Sequence, residues 1–292
     1  MQAEKNSSSK TCAITGTGGY LGGCVKRSFA AHGWEVLELT REPAGRRSAR
    51  FQLGADVAPE TLAGVQALVH CAYDFSAVRW PEIHARNVVG TRKLLASARQ
   101  AGVGRMICIS TISAYDGCRS LYGRAKLEIE EAALAAGAMV VRPGLIYGAG
   151  PGGMFGKLAG QVRKSSVLPL VGGNELQYLV HEQDLCDLIL RHAEGAGPAP
   201  GRAITAAHPQ GWSMRQILEA LAHAAGRKVR LVPVPWRALW LPIKLAELAG
   251  LRPGFRSDSL VSLMHQNPRP DFSVAAGLGV SFRPFDPAGL KL

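Results

Sequence analysis

The chain has 292 residues, 47% of them hydrophobic, enough for one large domain or two interlocked ones with a sizeable core. Its formal net charge is +12, but the basic residues are scattered, with no run longer than a pair, as at Arg46-Arg47, Arg163-Lys164 and Arg227-Lys228. No basic stripe interleaved with aromatic residues is present and no apolar run spans a bilayer, so nucleic-acid and transmembrane classes are set aside.

Residues 1–10 are polar, lack the apolar run of a signal peptide and are expected to be disordered. A cytoplasmic location is therefore expected. Cys12-Ala13-Ile14-Thr15 reads as a buried strand, followed by the turn Gly16-Thr17-Gly18-Gly19 and a helix from Leu21 to Ala31. A strand, a glycine turn and a helix N-terminus in succession form a phosphate cradle: glycine lets the backbone approach, and the helix start offers N–H groups and the positive end of a dipole. Trp34–Leu39 is the second strand, ending at Thr40-Arg41 and a basic loop through Arg47. Ala49–Leu53 is a third strand, with Asp56-Val57 beyond it, and 62–66 a short helix or turn. Ala67–Cys71 is a fourth strand. Glu82–Ala101 is a helix between Pro81 and Gly102. Arg105–Ile109, a helix over Leu121–Ala136 and a strand over Met139–Arg142 complete the pattern. Strands alternating with helices imply an α/β fold with a doubly wound parallel sheet. Ligands in such a sheet sit beyond the carboxyl ends of the strands, which selects Gly16–Gly22, Arg41, Asp56, Cys71–Tyr73, Ser110–Ser113 and Pro143–Tyr147.

After Tyr147 the pattern changes. Helices are expected over 154–164, 182–193 and from Ser213, which forms a capping box with Gln216; extended segments are expected over 176–180, 202–206 and 229–232. Trp236–Ala249 is very apolar and contains Pro242. Its thin polar face favours a core or substrate-lid helix over a membrane-surface one. The six cysteines show no Cys-x-x-Cys pairing and read as reduced core residues. His70, His84 and His181 have no ligand spacing, and no metal is expected.

Tyr122 and Lys126 lie one helical turn apart on one face. An ammonium there favours the phenolate, lowering a pKa of about 10 toward neutrality, and can also hold a ribose hydroxyl. Ser110, Thr111 and Ser113 offer hydroxyls at the end of the fifth strand, to orient a substrate oxygen against the tyrosine. Thr111 is the first choice among them.

With Thr15–Gly22 (TGTGGYLG) and Tyr122–Lys126 (YGRAK) in hand, the chain resembles an extended short-chain dehydrogenase/reductase, of the NAD(P)-dependent epimerase/dehydratase group. Asn87–Thr91, Arg142–Gly148 and Val180–Leu185 support the likeness, which covers about residues 11–285. It implies a Rossmann-type domain over residues 11–150, to which 176–206 returns, and a smaller, partly interleaved C-terminal substrate domain over 151–292. Gly16, Gly19, Tyr20 and Leu21 would hold the pyrophosphate. Cys71, Ala72 and Tyr73 would line the cofactor, with Asp56 and Val57 beside them. Pro143, Gly144, Leu145 and Ile146 would meet the nicotinamide. A homodimer through helices 82–101 and 121–136 is also implied.

Three departures stand out. Thr111 and Tyr122 are only 11 positions apart, closer than in many family members. Ile112-Ser113 replaces the acidic pair of family dehydratases, which argues against sugar 4,6-dehydration. Arg41 closes strand two where NAD-preferring proteins place an acid, so NADP is expected over NAD. The expected function is an NADP-dependent oxidoreductase in which Thr111, Tyr122 and Lys126 act on a small carbonyl compound or a nucleotide-sugar. The alternatives are a nucleotide-sugar epimerase with retained NAD(P) and a noncatalytic nucleotide-binding sensor or assembly subunit.

Overall fold

A computed structural model describes residues 10–148, 150, 152–195, 201–251 and 253–290. The expected disordered tail lies, apart from Lys10, outside the described residues.

The central layer is a seven-stranded parallel sheet. Its elements in chain order are β1 (Thr11–Thr15), α1 (Tyr20–Ala31), β2 (Glu35–Thr40), β3 (Ser48–Arg50) and β4 (Ala67–His70). A helical run follows as α2 (Trp80–Ile83), a π-helical turn (His84–Val89) and α3 (Gly90–Gln100). Then come β5 (Arg105–Ile109), α4 (Leu121–Ala135) and β6 (Met139–Pro143). The π-helical turn departs from the uniform helix expected over 82–101. The expected segment 62–66 is replaced by a 3₁₀ turn at Pro59–Leu62.

Beyond β6 lie β7 (Leu145–Tyr147), α5 (Gly153–Lys164), β8 (Val167–Leu170), β9 (Leu176–His181), α6 (Glu182–Ala193) and β10 (Ile204–Ala206). The chain continues with β11 (Gly211–Ser213), α7 (Met214–Ala224), β12 (Arg230–Pro233), α8 (Trp236–Leu248), α9 (Ser257–Met264) and α10 (Ser273–Gly277). The sheet order is β10-β6-β5-β4-β1-β2-β3, and every pairing in it is parallel. Strand order reverses between β1 and β4, the switch point at which such sheets bind ligands.

Period-two alternation divides the core. Cys12, Ile14, Ala67, Val69, Ile107 and Ile109 face one layer with Val25 and Phe29 of α1 and Leu185 and Ile189 of α6. Ala13, Leu68, Met106 and Cys108 face the other, with Leu94 of α3 and Ile129 of α4. A third core, with Phe155, Val162, Leu170, Ile217 and Leu221, underlies the sheet β11-β9-β7 and the pair β12-β8.

Ser213 and Gln216 form the expected capping box at α7. The core-helix expectation for 236–249 is corrected: α8 buries only Glu247, and Leu241, Leu245 and Leu248 are each more than half exposed. No helix among the described residues is long and apolar enough to cross a membrane.

Candidate active site

The glycine turn after β1 is built by two close backbone approaches. Gly16 has φ +73°, and a Cβ there would lie 3.0 Å from the Ala72 nitrogen. At Gly22 a Cβ would meet the Gly16 oxygen at 2.1 Å. Gly19 is the N-cap of α1 with no side-chain cap, and the first turn carries no acidic residue. This helix start suits an anion.

Behind the turn, Thr15 Oγ1 accepts from the Cys71 and Ala72 amides at 3.1 Å each. It also bonds His70 Nδ1 at 2.8 Å, while His70 Nε2 bonds Thr91 Oγ1 at 2.9 Å. Thr91 donates to the Asn87 carbonyl at 2.7 Å. The network assigns the proton of a neutral His70 to Nε2. Burial, then the Lys126 charge, lowers its pKa from 6.5 to about 3. Below pH ~6.5 the unfolded chain gains a proton here that the fold excludes. Stability should fall toward pH 3 by up to about 1.4 kcal/mol per pH unit. Urea midpoints for wild type and His70→Gln test this; the variant should lose about one proton from the slope.

The loop after β4 is held from the π-helical turn. Asn87 Oδ1 accepts from the Asp74 amide at 2.6 Å, and Asn87 Nδ2 donates to the Asp74 carbonyl at 3.2 Å. Such turns concentrate at functional sites because they re-aim a side chain. Tyr73, at the head of this loop, packs edge-on against Tyr122 with centroids 4.9 Å apart.

Tyr122 and Lys126 project from α4, whose N-terminus is capped twice. Ser120 Oγ accepts from the Gly123 amide at 3.0 Å. Asp258, from α9, accepts from the Leu121 and Tyr122 amides at 2.8 and 2.9 Å. A Cβ at Gly123 would lie 2.6 Å from the Ser113 carbonyl, so the helix start rests on the Thr111–Ser113 segment. Lys126 is buried and donates to the Ile109 carbonyl at 2.7 Å. Its Nζ lies 5.1 Å from the Tyr73 ring centroid and 5.9 Å from that of Tyr122.

Burial pushes the Tyr122 phenol up to about 12, and a hydrogen bond from Thr111 pulls it down. The lysine was expected to dominate this balance; in the fold desolvation does. Burial also lowers the Lys126 ammonium's pKa. Of the three candidate hydroxyls, Thr111 meets the phenol. Ser110 donates to the Glu130 carboxylate, which a two-pronged ion pair ties to Arg142. The Ser113 amide donates to Thr111 Oγ1 at 3.2 Å.

The remaining candidates are spread around this centre. Tyr20 donates to Glu182 Oε2 at 2.5 Å, and its ring packs beneath Gly150, Gly152 and Gly153. Leu21 packs against the α1–α6 core layer. Arg41 and Arg46 are exposed and make no ion pair among the described residues, whereas Arg47 bonds Glu35 at 2.9 Å. The Asp56 carboxylate is turned outward to Lys93 at 2.8 Å, and Val57 is buried. Pro143 ends β6; the Gly144 amide bonds the Ala206 carbonyl at 3.1 Å, and a Cβ at Gly144 would lie 2.0 Å from the Tyr178 oxygen. Leu145 and Ile146 pair with Leu179 and Val180 in β9. His84 pairs with Glu128 at 3.2 Å, and His181 Nδ1 caps α6. Among the described residues no group of three or more metal-ligating side chains is assembled.

Sequence reasoning missed Asp258. Ser257-Asp258 ahead of an apolar run marks a helix start, but nothing in the sequence joins it to Tyr122. Asp258→Ala should cost about 0.5–2 kcal/mol of stability, as capping residues do. It should also lower kcat about tenfold by loosening the turn that aims Tyr122. Urea unfolding and steady-state rates check both; an unchanged kcat would remove the positioning role.

Comparison with known proteins follows the same lines. The NAD dependent epimerase/dehydratase family profile matches residues 12–205. The chain is 29% identical over 235 residues to a ceramide reductase of Caulobacter vibrioides, covering 76% of this chain and 73% of that protein. It is 27% identical over 266 residues to a 4-hydroxy-2-methyl-3-oxo-4-farnesyl-3,4-dihydroquinoline-1-oxide ketoreductase of Stigmatella aurantiaca, covering 80% and 79%. Among solved structures, MoeE5 in complex with UDP-glucose and NAD superposes with a TM-score of 0.72 at 19% identity, over 96% of this chain and 95% of that one.

Proposed function

Because this chain belongs to the NAD dependent epimerase/dehydratase family and is an NAD(P)-dependent enzyme, we propose that it is an NADP-preferring reductase of lipophilic ketones. The observation that carries the reading is the Thr111–Tyr122–Lys126 arrangement around a phenol held protonated. Ketone reduction consumes the acid form of the tyrosine, whereas alcohol oxidation needs the phenolate.

The residues fit a dinucleotide. The Gly16–Gly22 turn is a cradle that a Cβ would fill, and the α1 N-terminus beside it has no acid to repel a pyrophosphate. Gly16, Gly19, Tyr20 and Leu21 would hold the pyrophosphate, Arg41 a 2′-phosphate, Lys126 a ribose hydroxyl, and the Pro143–Ile146 backbone the nicotinamide. A bound reduced nicotinamide supplies the hydride to the carbonyl carbon. Tyr122 gives its proton to the carbonyl oxygen, and Thr111 orients that oxygen. The product alcohol carries both the hydride and the proton, and the phenolate left behind is reprotonated from water.

The lipophilic character rests on the aromatic rim formed by Tyr73, Tyr122 and the half-exposed Phe75, whose centroid lies 5.6 Å from that of Tyr122. The ceramide and farnesyl-quinoline names of the relatives point the same way. A nucleotide-sugar substrate, as MoeE5 binds, has only a fold likeness behind it. NADPH oxidation measured with long-chain ketones, and chromatographic analysis of UDP-glucose incubated with the protein for epimerised or oxidised product, separate the readings. Turnover with the ketones alone supports the proposal; turnover or epimerisation of the sugar nucleotide alone would overturn it.

Cofactor preference has its own test. A hydrogen bond to a charged group is worth roughly 1.5–3 kcal/mol, so NADP should bind about tenfold to a hundredfold more tightly than NAD. The preference should shrink in high salt, because Arg41 is exposed. Dissociation constants for both nucleotides should converge in Arg41→Ala. A variant that keeps the preference would show that another residue reads the phosphate.

A further inference from the structure

The face of α8 that the fold leaves uncovered has a composition of its own. Leu241, Leu245 and Leu248 recur one and two turns apart along one side of the helix, with exposures of 54%, 58% and 51%; Leu251 follows just past its end at 64%. Isolated exposed leucines are ordinary, but four along one stripe are not.

The charges around the stripe share one sign. Residues 227–256 contain seven basic residues, Arg227, Lys228, Arg230, Arg237, Lys244, Arg252 and Arg256, against a single acid, Glu247. That acid is turned inward: its carboxylate accepts from the Ser257 amide at 2.9 Å and from the Ser257 hydroxyl. The outward side of α8 thus presents leucines and cations with no carboxylate among them.

We propose that α8 and Leu251 dock this protein, peripherally, on the surface of an anionic phospholipid bilayer. The leucines enter the boundary between headgroups and acyl chains, and Arg237 and Lys244 meet the lipid phosphates. The thin polar face that argued for a core helix instead suits a surface whose own headgroups supply the polar partners. A second copy of the chain fits this face less well. A two-fold interface sets the same patch against itself, so Arg237 and Lys244 would meet their own copies with no acid on the outward side of α8 to pair them. Docking by α8 also brings the cleft to the lipid: α8 packs on α9, and α9 carries the Asp258 cap of the Tyr122 helix. The inference does not rest on the identity of the substrate.

The test is co-sedimentation of the full chain with vesicles of phosphatidylcholine alone or with roughly one third phosphatidylglycerol. The chain should pellet with the anionic vesicles only, and less in high salt. Leu241→Glu/Leu245→Glu should lower partitioning about tenfold or more, with its thermal midpoint confirming the fold. Arg237→Gln/Lys244→Gln keeps the leucines, decides the matter if the first variant unfolds, and should also lower partitioning about tenfold. Absence of wild-type pelleting on anionic vesicles overturns the proposal, as does pelleting that the folded variants leave unchanged. A soluble dimer that the leucine variant dissociates, without vesicle binding, gives the face to a second copy instead.

Discussion

Tyr122→Phe is expected to lower kcat by about 10²–10⁴-fold, the usual contribution of a positioned acid or base, while leaving NADP(H) affinity near wild type. The substitution keeps the ring, and with it the edge-on contact to Tyr73 and the nearby Lys126 ammonium. It deletes only the oxygen that Thr111 bonds. The neighbouring serine hydroxyls are not placed to take over, because Ser110 is tied to Glu130 and Ser113 lies buried in the segment beneath α4. Stopped-flow measurement of the hydride step, with cofactor affinity by fluorescence titration, separates chemistry from binding. Full activity in the Phe variant would end the assignment of Tyr122 as the proton donor.

Gly22→Ala should abolish nucleotide binding, lowering NADP(H) affinity by about a hundredfold or more. Its added methyl would sit 2.1 Å from the Gly16 oxygen and 2.6 Å from the Gly16 carbon. Both are backbone atoms, so no side chain can swing aside; either α1 shifts or the turn opens, and overpacking of this kind costs roughly 1–3 kcal/mol. Gly18→Ala supplies the control, since a Cβ there meets nothing within 4 Å. Gly19 lies between these extremes, with the Gly16 oxygen at 3.2 Å. Calorimetry on the two alanine variants, with circular dichroism for folding, checks the ordering. A folded Gly22→Ala protein that binds at wild-type strength would move the site elsewhere.

What was legible in the sequence followed from local signals. The strand–turn–helix of residues 11–31, the alternating elements through β6 and the capping box at Ser213 each rest on residues within a few positions of one another. Other features depend on distance. The strands β7, β8 and β11 span three or four residues, too few to show a period, and exist because β9 and β12 lie beside them. The π-helical turn leaves no trace in an apolar pattern; the Asn87 side chain, reaching across to Asp74, gives it a purpose. The Tyr122–Lys126 pair was visible as a spacing. The environment that sets its proton affinity was not, because burial belongs to the assembled fold. Likewise the apolar content of α8 was plain, but which side of it faces outward was not.

The place of β10 has a consequence for synthesis. β10 completes the sheet by pairing with β6, yet roughly 60 residues separate the two strands. Translation at ~5–20 residues per second leaves β6 an unpaired edge for about 3–12 seconds. That edge is apolar, with Met139, Val140 and Val141 all buried in the finished fold. An unpaired apolar edge is a template for any other extended chain. The nascent protein therefore meets its greatest risk of misassociation when its first 140 residues are already made, and a polypeptide stopped short of residue 204 retains that sticky edge for as long as it lasts.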